Sequence, residues 1–330
     1  MTRERSPGKP EDRKPGPGAG GAGEVSLSLV VPVFNEQDNI GPLYTGLSEV
    51  LRKLGRNYEI IFVDDGSGDD TFRLVRRLHR DDPHVRVVKL RRNFGQTPAM
   101  SAGIDVARGD VVITMDGDLQ NDPADIPRLL DKMAEGYDVV SGWRARRQDT
   151  FLTRILPSRI ANWIIGVITG VRIHDYGCTL KAYRAGMLKS VHLYAEMHRF
   201  IPAMVTIAGA GIEELVVKHH PRKYGQSKYG MSRIGRVLLD LITVKLLIRF
   251  SPNPAHWFGA LSAPFWLLGL FFGIWSIRLT LTVGTVYFPI VIPALCFLMF
   301  FSAAYLVLLG LLSELVVKTG SYNIAQVAGR

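Results

Sequence analysis

Two long uncharged segments near the C-terminus constrain the architecture more than any other feature of this sequence. Residues 257–277 and 279–313 contain no Asp, Glu, Lys or Arg, and only Arg278 separates them. Each segment exceeds the roughly 20 residues that an α-helix needs to span the hydrocarbon core of a bilayer. Helices of a soluble core rarely run so long without a charge. The pattern predicts a transmembrane hairpin at 254–314, with crossings at about 255–278 and 287–313.

The rest of the chain divides around this hairpin. Residues 1–24 are rich in Gly, Pro and charge, which predicts a disordered tail and not a signal peptide. Residues 25–230 are expected to form one soluble domain, and residues 231–253 an amphipathic juxtamembrane helix. Residues 315–330 are expected to be a cytoplasmic tail. Basic residues precede the first crossing, so the positive-inside tendency predicts an inner-membrane protein whose soluble domain is cytoplasmic.

Apolar, β-rich segments alternate with helical patterns along residues 27–141. Strands that alternate with helices build a mostly parallel sheet covered by helices on both faces. The fold prediction is therefore a doubly wound α/β domain, followed by interfacial helices and the hairpin. Strands are expected at 27–33, 58–63, 85–90, 110–115 and 137–141, and helices at 37–54, 69–79, 97–107 and 123–134.

Polar residues stand at the ends of three of these strands. They are Asn35-Glu36, Asp64-Asp65-Gly66-Ser67 and Asp116-Gly117-Asp118. Ligands of parallel α/β sheets bind beyond the carboxyl ends of the strands. We therefore expect the three segments to contribute to one binding site.

Asp116 and Asp118 are the strongest candidates for metal ligands. Residues i and i+2 of an extended strand end point to the same side, so both carboxylates can reach one ion. Gln120 continues that face. Carboxylate and diphosphate oxygens are hard ligands that suit Mg²⁺ or Mn²⁺. The segment therefore predicts a divalent cation that binds a diphosphate.

The acidic turn after the second strand has two interpretations. Asp64 or Asp65 could accept hydrogen bonds from a base or a ribose, whereas Asp69 or Asp70 could cap the next helix. The first strand is not followed by Gly-x-Gly-x-x-Gly, and the sequence contains no P-loop. These two absences argue against a nicotinamide-binding Rossmann site and a P-loop nucleotide site.

Basic side chains form a second group of candidates. Cations near a diphosphate stabilise the leaving group, and cations near a bilayer can hold a lipid phosphate. We expect such roles for Arg144, Arg222 and Lys228. Arg146 and Arg147 are expected to belong to a basic rim that faces anionic lipid.

The net charge of +10 fits attraction to an anionic membrane leaflet. No basic-aromatic motif supports binding to nucleic acid. Residues 152–171 and 232–250 have amphipathic helical patterns. Each could lie in the headgroup plane, or pack against the sheet domain or another subunit.

Several ordered motifs resemble those of the inverting family-2 glycosyltransferases of the GT-A fold. The branch is that of dolichyl-phosphate mannose synthase and the bactoprenol (polyprenyl-phosphate) glucosyltransferases, and the hairpin is most similar to the latter. The resemblance covers residues 27–313. It rests on residues 31–36 (VPVFNE), 63–67 (VDDGS), 93–97 (NFGQT), 115–120 (MDGDLQ), 175–178 (DYGC) and 222–229 (RKYGQSKY). Residues 196–200 (EMHRF) lack the Gln and Trp of the Gln-x-x-Arg-Trp signature, which argues against a processive synthase.

The resemblance, together with the residue patterns, implies four overlapping sets of site residues. The nucleotide-sugar site would comprise Pro32, Phe34, Glu36, Asp64, Asp65, Asp116, Gly117, Asp118, Gln120, Arg222 and Lys228. The metal would be held by Asp116, Asp118 and Gln120, and the lipid phosphate by Arg144, Arg154 and Ser158. The catalytic set would be Asp118, Arg144, Arg222 and Lys228.

The implied reaction is the transfer of one sugar from a nucleotide diphosphate sugar to undecaprenyl or dolichyl phosphate, which gives a β-linked product. Glucose from UDP-glucose is the first expectation. A GDP-mannose-dependent polyprenyl-phosphate mannose synthase is the first alternative, and a non-catalytic membrane scaffold with the same fold is the second. The related bacterial enzymes also imply a homotetramer.

Overall fold

The computed structural model describes residues 25–145, 156–189, 199–207, 209–221, 253–283 and 290–327. The chain separates into two compact units, Met1–Leu241 and Ile242–Arg330. The first unit contains the sheet, and the second contains the two apolar helices.

Strands and helices alternate in the first unit, as the sequence predicts. The strands are β1 (Leu27–Val33), β2 (Tyr58–Asp64), β3 (Val85–Lys89), β4 (Val111–Thr114), β5 (Val139–Trp143), β6 (Lys181–Arg184) and β7 (Ile212–Val216). The helices are α1 (Gln37–Lys53), α2 (Thr71–Asp81), α3 (Gln96–Val106), α4 (Ile126–Ala134), α5 (Leu156–Thr169), α6 (Ala185–Lys189) and α7 (Ile201–Ile207). A 3-10 turn, Pro123–Asp125, precedes α4.

The strands form one seven-stranded sheet in the order β3-β2-β1-β4-β6-β5-β7. Strand β6 runs antiparallel to both of its neighbours, and the remaining pairings are parallel. The predicted mostly parallel sheet is confirmed. The sequence patterns did not predict β6 and β7, because β6 is only four residues long and β7 carries two glutamates on a partly buried strand.

Helices cover both faces of the sheet, and alternate strand residues form two separate cores. On one face Leu29, Ile60 and Ile113 belong to a cluster that includes residues of α1 and α4. On the other face Val30 and Val112 pack with residues of α3 and α7. Because successive side chains of a strand point to opposite faces, central strands buried on both sides are continuously apolar. Each fully buried Val, Leu or Ile contributes about 1.5–3 kcal/mol of hydrophobic stabilisation.

In its described residues the second unit contains the helices α8 (Pro254–Val283) and α9 (Val291–Val327). Their segments Pro254–Thr282 and Val291–Thr319 are long and apolar enough to cross a membrane, by length and composition. The two helices approach each other closely at Gly269, where a Cβ would lie only 3.0 Å from Cδ1 of Phe300. Most of the side chains in these segments are not buried. The two helices therefore form a candidate transmembrane hairpin.

Candidate functional site

The ends of β1 and β2 meet at one edge of the sheet, as predicted. The backbone N–H of Asn35 donates a 2.9 Å hydrogen bond to Oγ of Ser67. The N–H of Gly68 donates a 2.8 Å bond to Oδ1 of Asn35. Asn35 adopts a left-handed φ of 50°, which an Asn tolerates better than most residues. Strand β4, which ends just before Asp116, pairs with β1, so the three polar segments lie on adjacent strands.

Asp65 binds the loop after β3. Its two carboxylate oxygens accept hydrogen bonds from the backbone N–H groups of Phe94 (2.8 Å) and Gly95 (2.9 Å). Burial raises the pKa of Asp65, although these two bonds act in the opposite direction. Asp65 is predicted to contact the nucleotide, and both of its carboxylate oxygens already accept a hydrogen bond from the protein.

The loop that Asp65 binds leads into Gln96, which contacts the acidic turn. Nε2 of Gln96 donates a 2.7 Å hydrogen bond to Oδ1 of Asp116. Gln96 lies in the Asn-Phe-Gly-Gln-Thr motif, but nothing near it in the sequence indicates a contact with Asp116.

Residues 116–120 form a tight turn beyond β4. A Cβ on Gly117 would lie 2.8 Å from Cγ1 of Val33, so glycine allows the turn to approach β1. Leu119 has a φ of 61°, a left-handed conformation that is rare for a branched apolar residue. The N–H of Gln120 donates a 3.2 Å bond to Oδ1 of Asp118. The turn therefore holds two carboxylates and the Gln120 amide together at the edge of the sheet.

Asp116 and Asp118 repel each other electrostatically. Burial and the charge of Asp118 raise the pKa of Asp116 to about 6. A hydrogen bond from Thr179 and the positive charges of Arg144 and Arg199 oppose this rise. Asp118 is itself buried, with an exposed fraction of 7%. The protein thus concentrates negative charge where a cation would be stabilised.

Arg144 forms a bidentate ion pair with Asp175. Nε donates to Oδ2 at 2.7 Å, and Nη2 donates to Oδ1 at 2.9 Å. Burial lowers the pKa of Arg144, but its bonds to Asp175 and the charge of Asp175 outweigh that effect and raise it. The guanidinium remains charged and is held in a fixed orientation near Asp116.

The segment after β7 also contacts the acidic turn. The N–H of His220 donates a 2.8 Å bond to the carbonyl of Gln120, and the His219 ring lies 3.2 Å from the same oxygen. Residues 217–221 are therefore adjacent to the predicted metal ligands.

The structure describes some of the other predicted site residues and leaves others outside its described ranges. Pro32 pairs with Val63 in the sheet, Phe34 follows β1, and Glu36 precedes α1. Ser158 lies on α5 and is partly buried. Arg154, Arg222 and Lys228 lie outside the described residues, as does the amphipathic segment 232–250.

Comparison with known proteins identifies the family. Residues 28–191 match the sequence profile of glycosyl transferase family 2. A dodecaprenyl-phosphate galacturonate synthase of Rhizobium johnstonii is 44% identical over 303 residues, covering 89% of this chain and 88% of that protein. An undecaprenyl-phosphate 4-deoxy-4-formamido-L-arabinose transferase of Pseudomonas aeruginosa is 37% identical over 292 residues, covering 87% of this chain and 84% of that protein.

A solved structure shares the fold. Glucosyl-3-phosphoglycerate synthase from Mycobacterium tuberculosis, in complex with Mn²⁺ and uridine-diphosphate-glucose, matches with a TM-score of 0.53 at 18% identity. The match covers 69% of this chain and 79% of that chain. It supports the GT-A architecture expected from the sequence. On the strength of the profile over residues 28–191 and of relatives that match more than 80% of its length, the chain belongs to glycosyltransferase family 2.

Proposed function

We propose that this protein transfers one sugar from a nucleoside diphosphate sugar to a polyprenyl phosphate at a membrane surface. The observation that carries the proposal is the acidic turn at residues 116–120, where the positive charge of the partly buried Arg144, paired with Asp175, acts on Asp116. The chain also has two helices apolar enough to span a bilayer. Relatives that match most of its length are named for sugar transfer to dodecaprenyl or undecaprenyl phosphate.

The acidic turn fits a divalent cation. Within the described residues, no three His, Cys, Asp or Glu side chains gather around a point where one ion could bind. The residues that would hold Mg²⁺ or Mn²⁺ are Asp116 and Asp118, with help from Gln120, so the protein would supply two carboxylates and the diphosphate oxygens would supply further hard ligands. The raised pKa of Asp116 reflects first its burial and second the charge of Asp118, and such an ion would neutralise this pair of like charges. When bound, the ion supplies charge stabilisation to the departing diphosphate.

The acceptor needs little activation by the protein. A phosphate monoester has a second pKa of about 6, so the lipid phosphate is largely dianionic at neutral pH. Its oxygen attacks the anomeric carbon as the bond from that carbon to the diphosphate breaks. In-line attack inverts an α-linked donor and gives a β-linked lipid product. Catalysis then depends on positioning and on neutralising the leaving group, to which the charged Arg144 contributes.

The transferred sugar remains a prediction. The resemblance of the hairpin to that of the bactoprenol glucosyltransferases favours glucose. The relatives from Rhizobium johnstonii and Pseudomonas aeruginosa are instead named for galacturonate and for 4-deoxy-4-formamido-L-arabinose. Mannose from GDP-mannose is the remaining alternative. All of these sugars belong in the donor panel of the first experiment.

The membrane topology and the assembly are also part of the proposal. A soluble unit on the cytoplasmic side of the inner membrane would meet both the nucleotide sugar and the lipid phosphate. Two apolar helices per chain suit packing between copies, and the predicted homotetramer can be tested by mass photometry in detergent.

A transfer assay tests the proposed function directly. Detergent-purified protein receives undecaprenyl phosphate, Mg²⁺ or Mn²⁺, and in parallel UDP-glucose, UDP-galactose, UDP-galacturonate, UDP-4-deoxy-4-formamido-L-arabinose and GDP-mannose. Mass spectrometry should detect a lipid-phosphate sugar from at least one donor, and EDTA should abolish it. If folded protein gives no lipid product with any donor while a known transferase does, the proposal is wrong and the scaffold alternative gains support.

A further inference from the structure

An aromatic side chain is exposed next to Asp65, the predicted nucleotide contact. Phe94 lies in the β3–α3 loop, residues 90–95, and is 49% exposed. The other exposed large apolar side chains in the described part of the first unit lie on α5 and β7, at Trp163, Val167 and Val216. Strand β3 runs parallel to β2, so the β3–α3 loop lies at the same edge of the sheet as the three polar segments. Phe94 is therefore an exposed apolar ring at the edge where ligands of such sheets bind.

Hydrogen bonds hold the β3–α3 loop against the acidic turn that follows β2. The N–H of Leu90 donates a 2.9 Å bond to the carbonyl of Asp64. The N–H groups of Phe94 and Gly95 donate to the two carboxylate oxygens of Asp65, at 2.8 and 2.9 Å. The ring is thus attached to a backbone that is fixed before any ligand arrives. A contact that is fixed in advance lowers the entropic cost of binding.

The contacts of this chain segment separate a nucleoside end from a metal end. Phe94 bonds through its backbone to Asp65, which is predicted to contact a base or a ribose. Gln96, two residues later, donates a 2.7 Å bond to Asp116, a predicted metal ligand. A donor whose diphosphate is bound at Asp116 and whose nucleoside reaches Asp65 would therefore have its base, and not its sugar, beside Phe94.

A cation already covers part of the Phe94 ring. Cζ of Arg92 lies 4.8 Å from the ring centroid. The residue nevertheless remains 49% exposed, so a second flat group has room to pack against the ring. Aromatic rings stack on nucleobases through their π faces, and an arginine can add a cation–π contribution.

Resting on the proposed function, we infer that Phe94 is the stacking platform for the base of the nucleoside diphosphate sugar, with Arg92 covering the part of the ring that the base leaves free. Stacking uses the flat face of a base, so the contact serves uracil and guanine alike. It adds affinity for the nucleoside part of the donor and leaves the diphosphate to the acidic turn.

Isothermal titration of the full-length protein in detergent with Mn²⁺ tests this inference. The probes are UDP, GDP and inorganic pyrophosphate. Phe94→Leu removes the aromatic face and keeps an apolar side chain. Its affinity for UDP or GDP, whichever the wild type binds more tightly, should fall by about 5–150-fold, as expected for a lost base–aromatic stack. Its affinity for pyrophosphate, which has no base, should not change.

Two further variants control for the loss of a ring. Phe94→Tyr keeps the aromatic face and should bind all three probes as the wild type does. Phe72→Leu is the matched control, because Nζ of Lys89 lies 3.9 Å from the Phe72 ring centroid and forms a similar cation–aromatic pair on α2. It should also keep the wild-type affinities.

Each outcome separates the inference from the proposed function. Unchanged nucleotide affinity in Phe94→Leu would overturn the inference and leave the proposed function intact. An equal loss for pyrophosphate and nucleotide would also overturn it, because the ring would then act by holding Gln96 in place. A selective loss of nucleotide affinity in Phe94→Leu would support the inference even if the wild type transferred no sugar, a result that would refute the proposed function alone. Failure of the folded wild type to bind UDP or GDP would overturn both.

Discussion

The side-chain amide of Gln96 donates a 2.7 Å hydrogen bond to Oδ1 of Asp116 and so fixes one of the two carboxylates of the acidic turn. Gln96 is the first residue of α3, directly after the loop that Asp65 binds through two backbone N–H groups. The acidic segments after β2 and β4 are therefore connected through one short loop. A residue that orients a metal-binding carboxylate affects the metal without touching it.

Replacing Gln96 with Leu should impair metal binding more than folding. We expect the apparent Mn²⁺ affinity or the activity to fall by about 10–100-fold, the effect typical of lost hydrogen bonds to metal ligands. Titration of transfer activity against Mn²⁺ measures the change. Asp105→Asn, an exposed position on the same helix, is the control and should behave as wild type. An unchanged Mn²⁺ dependence in Gln96→Leu would contradict a positioning role.

Loss of Asp175 should destabilise the fold strongly. Asp175→Asn leaves the Arg144 guanidinium, which is 18% exposed, without its charged partner. Removing one partner of a buried pair costs about 3–5 kcal/mol in the free energy of unfolding. Denaturant unfolding of the purified protein measures the loss.

An exposed ion pair provides the control for the Asp175 prediction. Asp70 lies 2.6 Å from Arg73, and their side chains are 54% and 76% exposed. Asp70→Asn should cost no more than about 1 kcal/mol. Equal destabilisation by the two substitutions would show that burial does not strengthen the Arg144–Asp175 pair.

Glu59 should make stability depend on pH. Burial alone would raise its pKa, but hydrogen bonds from Ser28, Arg86 and Arg108 outweigh burial and lower the pKa below 4.5. A folded-state pKa below the unfolded value contributes stability above the unfolded pKa, and this contribution is lost as pH falls through the folded value. Glu59→Gln should therefore lower the free energy of unfolding at pH 7, and the difference from wild type should shrink below about pH 4.5. Glu49→Gln, at an exposed position on α1, is the control and should change the free energy of unfolding at pH 7 by less than about 0.5 kcal/mol.

Local patterns in the sequence predicted the elements but not the contacts between distant residues. Apolar runs and turn residues placed β1–β5 and the three polar strand ends, because those signals lie within a few residues of each other. The Arg144–Asp175 pair joins positions 31 residues apart, and neither position carries a pattern that indicates the other.

Helix α2 begins at Thr71 instead of at residue 69, because the side chain of Asp69 accepts a hydrogen bond from the N–H of Thr71 and remains outside the helix. The burial of Lys181, which is 2% exposed, was not predicted either, since a single lysine at the start of a short strand resembles a surface residue.

Replacing Gly66 with alanine should weaken nucleotide binding, whereas replacing Gly68 with alanine should not. Gly66 has a φ of 71°, and a Cβ there would lie 2.4 Å from the backbone carbonyl carbon of Arg92. Gly66→Ala should displace the loop after β3 and weaken binding of the donor's nucleoside diphosphate by at least about tenfold, since a left-handed alanine alone costs roughly 1–2 kcal/mol. Gly68 has open space around it and no positive φ. Isothermal titration with UDP or GDP, whichever belongs to the donor that the wild type uses, should give wild-type affinity for Gly68→Ala, and equal affinities for the two variants would contradict this explanation.

The central claim is that the acidic turn catalyses sugar transfer, and Asp118→Asn tests it most directly. The variant keeps the size of the side chain but removes one charge from the predicted metal site. Asp131→Asn, on the exposed side of α4, is its matched control. With undecaprenyl phosphate, Mn²⁺ and the donor that the wild type uses, the initial rate of lipid-linked sugar formation should fall at least about 100-fold in Asp118→Asn and stay unchanged in Asp131→Asn. A wild-type rate in a folded Asp118→Asn protein would contradict the account.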